Sequence, residues 1–179
     1  MATDIRRAGR RARRSGRPGH RLQLRQGAPL GPWRKRGARS QAIGPSRGGQ
    51  TTKVHALTDS DGRPYVFLLT PGNIADIAVA PALVAAMPPG DSMLADKGYD
   101  ANALRALLAS RGTTPIIPNK ACRKVALPFD AEAYKQRNVI ERMFCRLKDF
   151  RRIATRYDKL ARNFLAAICI AATVIWWLD

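Results

Sequence analysis

Read for its apolar and polar positions, the chain changes character near residue 50. From there TTKVHALTD has the β-branched, half-alternating composition of a strand, and PYVFLLT is a second β-rich run. The turn signal DSDG (Asp59–Gly62) lies between them, so the pair predicts a β-hairpin. NIADIAVAPALVAAMPPG reads as a short helix with Asn73 or Asp76 as cap, interrupted or kinked at Pro81, because proline lacks the amide donor and clashes with the preceding turn. SMLADKGYD predicts a short strand that stops at Asp96 and turns at Gly98. DANALRALLASRG predicts an amphipathic helix with Asp100 as N-cap and Gly112 as stop. TPIIP is another short strand and NKACRKVALPFD a basic loop. A long helix is expected from near Asp130 to about Phe150, then RRIATRYD, then a last helix from about Lys159 to Trp177 capped by Asp158. Hairpin, helix, strand, helix, strand, helix, helix describes an α/β sheet, antiparallel at first and crossing over in parallel later.

The long helix carries two stripes. At 100° per residue, Tyr134, Arg137, Glu141 and Lys148 fall within an arc of about 60°. Ile140, Met143, Phe144 and Leu147 form a neighbouring apolar stripe at i, i+3, i+4 and i+7, which can dock the helix on a sheet. Glu141 therefore borders the buried seam, with one cation a turn before it and another two turns after. By spacing alone this is the pattern of an ordinary solvated face, where Arg–Glu pairs contribute a few tenths of a kcal/mol. Asp96 stands at the carboxyl end of a predicted strand, where ligand sites of open α/β sheets gather. Taken alone it reads as a turn or cap residue.

Charge adds a partner class. The 179 residues carry a net charge of +19, and residues 1–50 hold fourteen Lys and Arg against the single acid Asp4. Residues 51–179 are only mildly basic, with eighteen basic and twelve acidic side chains. Counterion release makes nucleic acid the default partner of such a chain. Residues 1–40, rich in Arg, Gly and Pro and without apolar periodicity, are expected to be disordered or out of frame, and residues 41–179 to form the folded domain. Cys122, Cys145 and Cys169 are odd in number and lack CxxC spacing, which argues against a zinc site or a disulfide framework. No apolar core follows the arginines of a would-be signal segment, and the uncharged run Phe164–Leu178 is shorter than the ~18 residues a membrane span needs. A cytoplasmic, bacterial protein follows.

Together the fragments carry a resemblance. Y-x2-R-x3-E-x6-K, matched by Tyr134, Arg137, Glu141 and Lys148, resembles the signature around the last carboxylate of bacterial insertion-sequence transposases of the DDE class. LADKGYD resembles that family's block around its second aspartate, and SRGGQTTKVHALTDSDGRP, FLLTPGN and FRRIATRYDKLARNFLA look like the group called insertion sequence family five. The resemblance runs from about Arg34 or Gly37 to Leu178. It implies a ribonuclease-H-like α/β fold and a metal-dependent enzyme that cleaves DNA and transfers strands. It also implies two divalent ions, Mg²⁺ or Mn²⁺, with Asp96 and Glu141 as catalytic and metal-holding residues. Hard cations prefer carboxylate oxygen, and two ions about 3.5–4 Å apart suit in-line displacement at phosphorus. Tyr134, Arg137, Lys148, Arg47, Lys53 and Lys97 are the expected DNA and phosphate contacts. The implied partners are DNA, at element ends and target, with a homo-oligomer or an upstream-frame product beside it. The protein would then sit on the nucleoid. His55 needs no catalytic role and is expected to pack or hydrogen-bond within its strand.

One part of the pattern is missing. The family's first aspartate stands on a strand before the SRGG block, and RPGHRLQLRQGAPLGPWRKRG contains no acid. Asp59 and Asp61 belong to the hairpin turn, at the wrong end of the strands. The expectations are therefore a fold incomplete at its first strand, with HRLQLRQ as a substitute and His20 as the nearest stand-in ligand, and a truncated chain inactive alone. A downstream product of a gene split over two frames and a segment read in a shifted frame both account for this. The alternative function is a non-catalytic nucleic-acid-binding fragment that modulates a full-length transposase, and a chain that never folds stably is a third reading.

Overall fold

The computed structural model describes residues 20–26, 41–88 and 90–178. Six strands form one sheet: β1 (His20–Gln26), β2 (Gly44–Ser46), β3 (Gly49–Thr58), β4 (Pro64–Pro71), β5 (Ser92–Ala95) and β6 (Thr114–Ile116). Their order is β4-β3-β1-β5-β6, with β2 paired to the first residues of β3. β1 is antiparallel to β3, β3 to β4, while β1, β5 and β6 run parallel. Three antiparallel strands followed by two parallel ones is the ribonuclease-H-like arrangement that the resemblance implies.

The first position of that sheet is filled. His20–Gln26, the stretch read as a substitute, lies between β3 and β5, with Leu22 level with Leu57 on one side and Ala95 on the other. The expected gap is thus closed by a segment inside the basic region 1–40; the rest of that region lies outside the described residues. The physical reason is edge pairing: without β1, the backbone donors and acceptors of both β3 and β5 would lack partners.

Helices cover both faces. They are α1 (Ala80–Ala85), α2 (Asn102–Ser110), α3 (Ala131–Lys135), α4 (Asn138–Lys148), α5 (Arg151–Ala154) and α6 (Ala161–Trp176). Alternation along β3 divides the core. Leu57 joins Leu83, Met93, Tyr99, Leu104 and Leu108 beneath α1 and α2, whereas Val54 and Ala56 join Phe67, Phe164 and Ile168 beneath α4 and α6. Ile140, Met143, Phe144 and Leu147 are all buried, so the predicted docking stripe of α4 is borne out. Each such side chain contributes about 1.5–3 kcal/mol on burial.

Several local expectations are corrected. Pro81 sits in the first turn of α1 and starts it instead of breaking it, because that turn has no use for its amide. Asp76 opens a short 3-10 turn (Asp76–Ala78) without capping it. Neither Asp100 nor Asp158 caps a helix: α2 and α6 begin after Ala101 and Leu160, and both carboxylates go to arginines instead. The helix expected from Asp130 to Phe150 is split, with Asp130 capping α3 through the Ala133 amide at 2.9 Å and a tight turn at Gln136–Arg137 before α4.

Candidate active site

β1 and β5 both end at one edge of the sheet, and β3 starts there. Asp96 directly follows β5, and its loop is anchored by Tyr99, which is fully buried. Beneath that loop the His55 ring, also fully buried, meets the Tyr99 hydroxyl at 3.3 Å and the Thr70 hydroxyl at 2.8 Å. Burial lowers the His55 pKa to about 4 and pushes that of Tyr99 up, so both are neutral, and the local role expected for His55 holds.

The split in the long helix shapes the site. Between α3 and α4 the amides of Arg137 and Ile140 bond carbonyls three residues back, at 2.9 and 3.2 Å, which tightens the turn. Arg137 leaves this turn between two acids. Its Nη1 donates to Asp96 Oδ1 at 3.0 Å and its Nη2 reaches Glu141 Oε1 at 2.8 Å. The Tyr134 hydroxyl approaches the same Asp96 oxygen at 3.4 Å, and the guanidinium lies 5.5 Å from the centre of the Tyr134 ring. Phe129 packs edge-on to that ring at 5.8 Å. Burial first, then the charge of Asp96, raises the Tyr134 pKa, so the phenol keeps its proton. Side-chain exposures of 29% for Asp96, 30% for Arg137 and 48% for Glu141 leave the group open to a large substrate.

Four of the predicted residues, Asp96, Tyr134, Arg137 and Glu141, thus come together. Lys97 is exposed beside Asp96, and Arg47 is exposed at the β2–β3 turn beyond the same sheet edge. Lys148 ends α4, exposed about 10 Å along the axis from Glu141. Lys53 differs from expectation: its ammonium is held by Asp76 at 2.8 Å and the Ile74 carbonyl at 2.7 Å, so it braces the loop after β4. His20 is level with Met93, three residues short of Asp96 and roughly 10 Å away along the strands, which removes it as a stand-in ligand. Asp59 accepts the amides of Asp61 and Arg63 at 2.9 and 2.8 Å, at the opposite end of the sheet from Asp96.

Sequence reasoning does not reach the cluster beside the site. Asp100 takes Arg105 Nε at 3.0 Å, Arg123 Nε and Nη2 at 2.8 and 2.7 Å, and the Lys120 amide at 2.9 Å. These bonds, those from Arg123 foremost, hold its carboxyl well below the usual range. Asn119 bonds the Leu127 amide and carbonyl at 3.1 and 2.8 Å, so the basic loop 118–128 is fastened at its neck and along one side. The signal that points to this cluster is Arg105, a charge on the apolar face of α2.

For a metal, the donors fit in kind. Asp96 and Glu141 are hard oxygen ligands, and Mg²⁺ sites often use one or two carboxylates with water. In number they fit a single ion. Among the described residues no three His, Cys, Asp or Glu side chains are grouped to hold a metal. β1, the neighbour of β5, contains no acid, and one step past the Leu22–Ala95 pair brings Gln23 level with Asp96.

The model of the family described as Transposase DDE domain matches residues 3–176, which takes in most of the basic segment. A Brucella ovis protein that carries the name of a transposase for insertion sequence element IS6501 is 37% identical over 128 residues, spanning 70% of this chain and 98% of its own. A Neisseria meningitidis transposase of IS1106 is 31% identical over 128 residues, spanning 66% and 44%. A Burkholderia cepacia protein named for IS402 is 28% identical over 137 residues, spanning 70% and 63%. The chain therefore spans nearly all of the first of these relatives and a smaller part of the other two. Among solved structures, the catalytic core domain of BIV integrase aligns with a TM-score of 0.49 and 16% identity, over 89% of this chain and 84% of that one.

Proposed function

The chain belongs to the Transposase DDE domain family, and we propose that it is the catalytic domain of a bacterial insertion-sequence transposase acting on DNA at the element ends and target. One observation carries this reading. Asp96 and Glu141, forty-five residues apart in sequence, meet on a single guanidinium at the carboxyl edge of a ribonuclease-H-like sheet. The family works with divalent metal ions. When bound, an ion on Asp96 and Glu141 supplies Lewis-acid polarisation of a phosphate oxygen and a more acidic water. The chain's own residues bind and orient: Lys97, Lys148 and Arg47 present exposed cations to backbone phosphates, and Tyr134 keeps a donor beside Asp96. Among the described residues no helix is long and apolar enough to cross a membrane.

The two-ion site of the family requires a third carboxylate, which β1 does not contain. Cleavage by this chain alone is therefore expected to be absent or barely measurable. That observation favours the second reading, a chain that binds DNA without cutting it. The separating experiment adds the missing acid. Aspartate is introduced in turn at Leu22, Gln23 and Leu24, and nicking of DNA carrying the element ends is followed with Mn²⁺. At least one variant should nick, and adding Glu141→Gln should silence it. If all three bind DNA and none cuts, the catalytic reading fails and the binding one stands.

A further inference from the structure

The guanidinium of Arg137 is wedged between two acids, where a forked pair with one would use both nitrogens on the same carboxylate. One terminal nitrogen serves Asp96 and the other Glu141, at 3.0 and 2.8 Å. A divalent ion would need oxygens of these same carboxylates at about 2.0–2.1 Å. Arg137 takes Oδ1 of Asp96 and Oε1 of Glu141, so an ion on the same two carboxylates would stand within a few ångströms of the guanidinium, and like-charge repulsion disfavours holding both. A phosphate diester, in turn, offers Arg137 another anionic partner matched to its planar fork. Tyr134 lies beneath the guanidinium and next to the same Asp96 oxygen, so it can hold the aspartate in place once the arginine leaves.

We propose that Arg137 is a latch: in the free protein it closes the Asp96–Glu141 pair against metal, and a DNA phosphate draws it away so that the pair opens. The inference rests on the transposase reading and deepens it. Arg137 becomes the element through which DNA and metal binding are coupled, and such coupling is reciprocal. DNA raises the affinity for metal, and metal raises the affinity for DNA, by one factor. Metal is thereby kept off the pair until a backbone is in place.

The test uses the full chain with Mn²⁺ as probe, titrated by electron paramagnetic resonance with and without a duplex oligonucleotide. DNA affinity is read by fluorescence anisotropy with and without Mn²⁺, and Glu141→Gln supplies the background of Mn²⁺ held by DNA itself. In the unsubstituted chain DNA should tighten Mn²⁺ at least about fivefold, within the usual range of coupling, and Mn²⁺ should tighten DNA equally. Arg137→Met should bind Mn²⁺ at least about tenfold more tightly without DNA and show no coupling. Arg137→Lys, which keeps the charge but cannot span both acids, should bind Mn²⁺ at an intermediate strength. The latch is overturned if Arg137→Met binds Mn²⁺ no better than the unsubstituted chain, or retains the full coupling. Absence of DNA binding in the anisotropy assay would instead sink the transposase reading, so the two failures are distinguishable.

Discussion

Replacing Asp100 with alanine should be among the most costly single changes in the chain. Its side chain is 1% exposed and accepts bonds from Arg105, Arg123 and the Lys120 amide. Arg105 is itself buried, and without Asp100 it keeps only its bond to the Ile117 carbonyl at 2.7 Å. Removing one partner of a buried ion pair costs about 3–5 kcal/mol, because the other charge is left without compensation. Against a total stability of about 5–15 kcal/mol, that is a large share. In urea, with a slope of about 2 kcal/mol/M, the unfolding midpoint should fall by roughly 1.5–2.5 M at an unchanged slope. Tryptophan fluorescence reports the transition. Limited proteolysis should show the basic loop cut after Lys120 or Lys124 at concentrations of trypsin that spare the parent. The pH dependence has a fixed sign. The folded-state pKa of Asp100 lies below the ordinary 3.8, so its contribution is complete above that value and is lost as pH falls below it. The stability gap between the parent and Asp100→Asn should therefore be widest near neutrality and narrow below about pH 4. A midpoint shift under about 0.5 M for Asp100→Ala, or a gap that widens in acid, would refute the reasoning.

Three further outcomes are expected. Arg156 is 3% exposed, donates to the Gln41, Asp158 and Lys159 carbonyls and the Thr52 hydroxyl, and lies over the Phe164 ring; Arg156→Lys should lower stability by about 2–4 kcal/mol in thermal or urea unfolding, and a change under about 0.5 kcal/mol, typical of a surface site, would count against it. The His55 ring should titrate by NMR with a midpoint near 4, lowered chiefly by burial; because the unfolded chain takes up that proton first, stability should fall as pH drops from about 6.5 towards 4 and level off below, and a midpoint near 6.5 would show the ring to be solvated. Deleting residues 1–18, with seven arginines, should make the salt slope of DNA binding shallower by about 0.9 for each phosphate no longer neutralised, whereas deleting residues 1–33 removes β1 and should abolish cooperative unfolding.

How much of the molecule is legible in the sequence follows from how local each cause is. The hairpin at Asp59–Gly62, the β5 strand that ends at Asp96 and the buried stripe of α4 each rest on composition and periodicity over a dozen residues, and each forms as expected. The caps depart from expectation because Asp100 and Asp158 have arginine partners 23 and 6 residues away, and an ion pair of that kind outweighs a local bond to a helix amide. β1 is hard to read for a similar reason. HRLQLRQ has little strand propensity, yet it is flanked by β3 and β5, whose backbone groups need partners whatever the side chains. Topology therefore selects a strand where composition would leave a tail. It cannot select a carboxylate, since backbone pairing is indifferent to residue type. The same edge that completes the fold thus brings no acid of β1 beside Asp96, and the guanidinium of Arg137 is the charge that bridges Asp96 and Glu141.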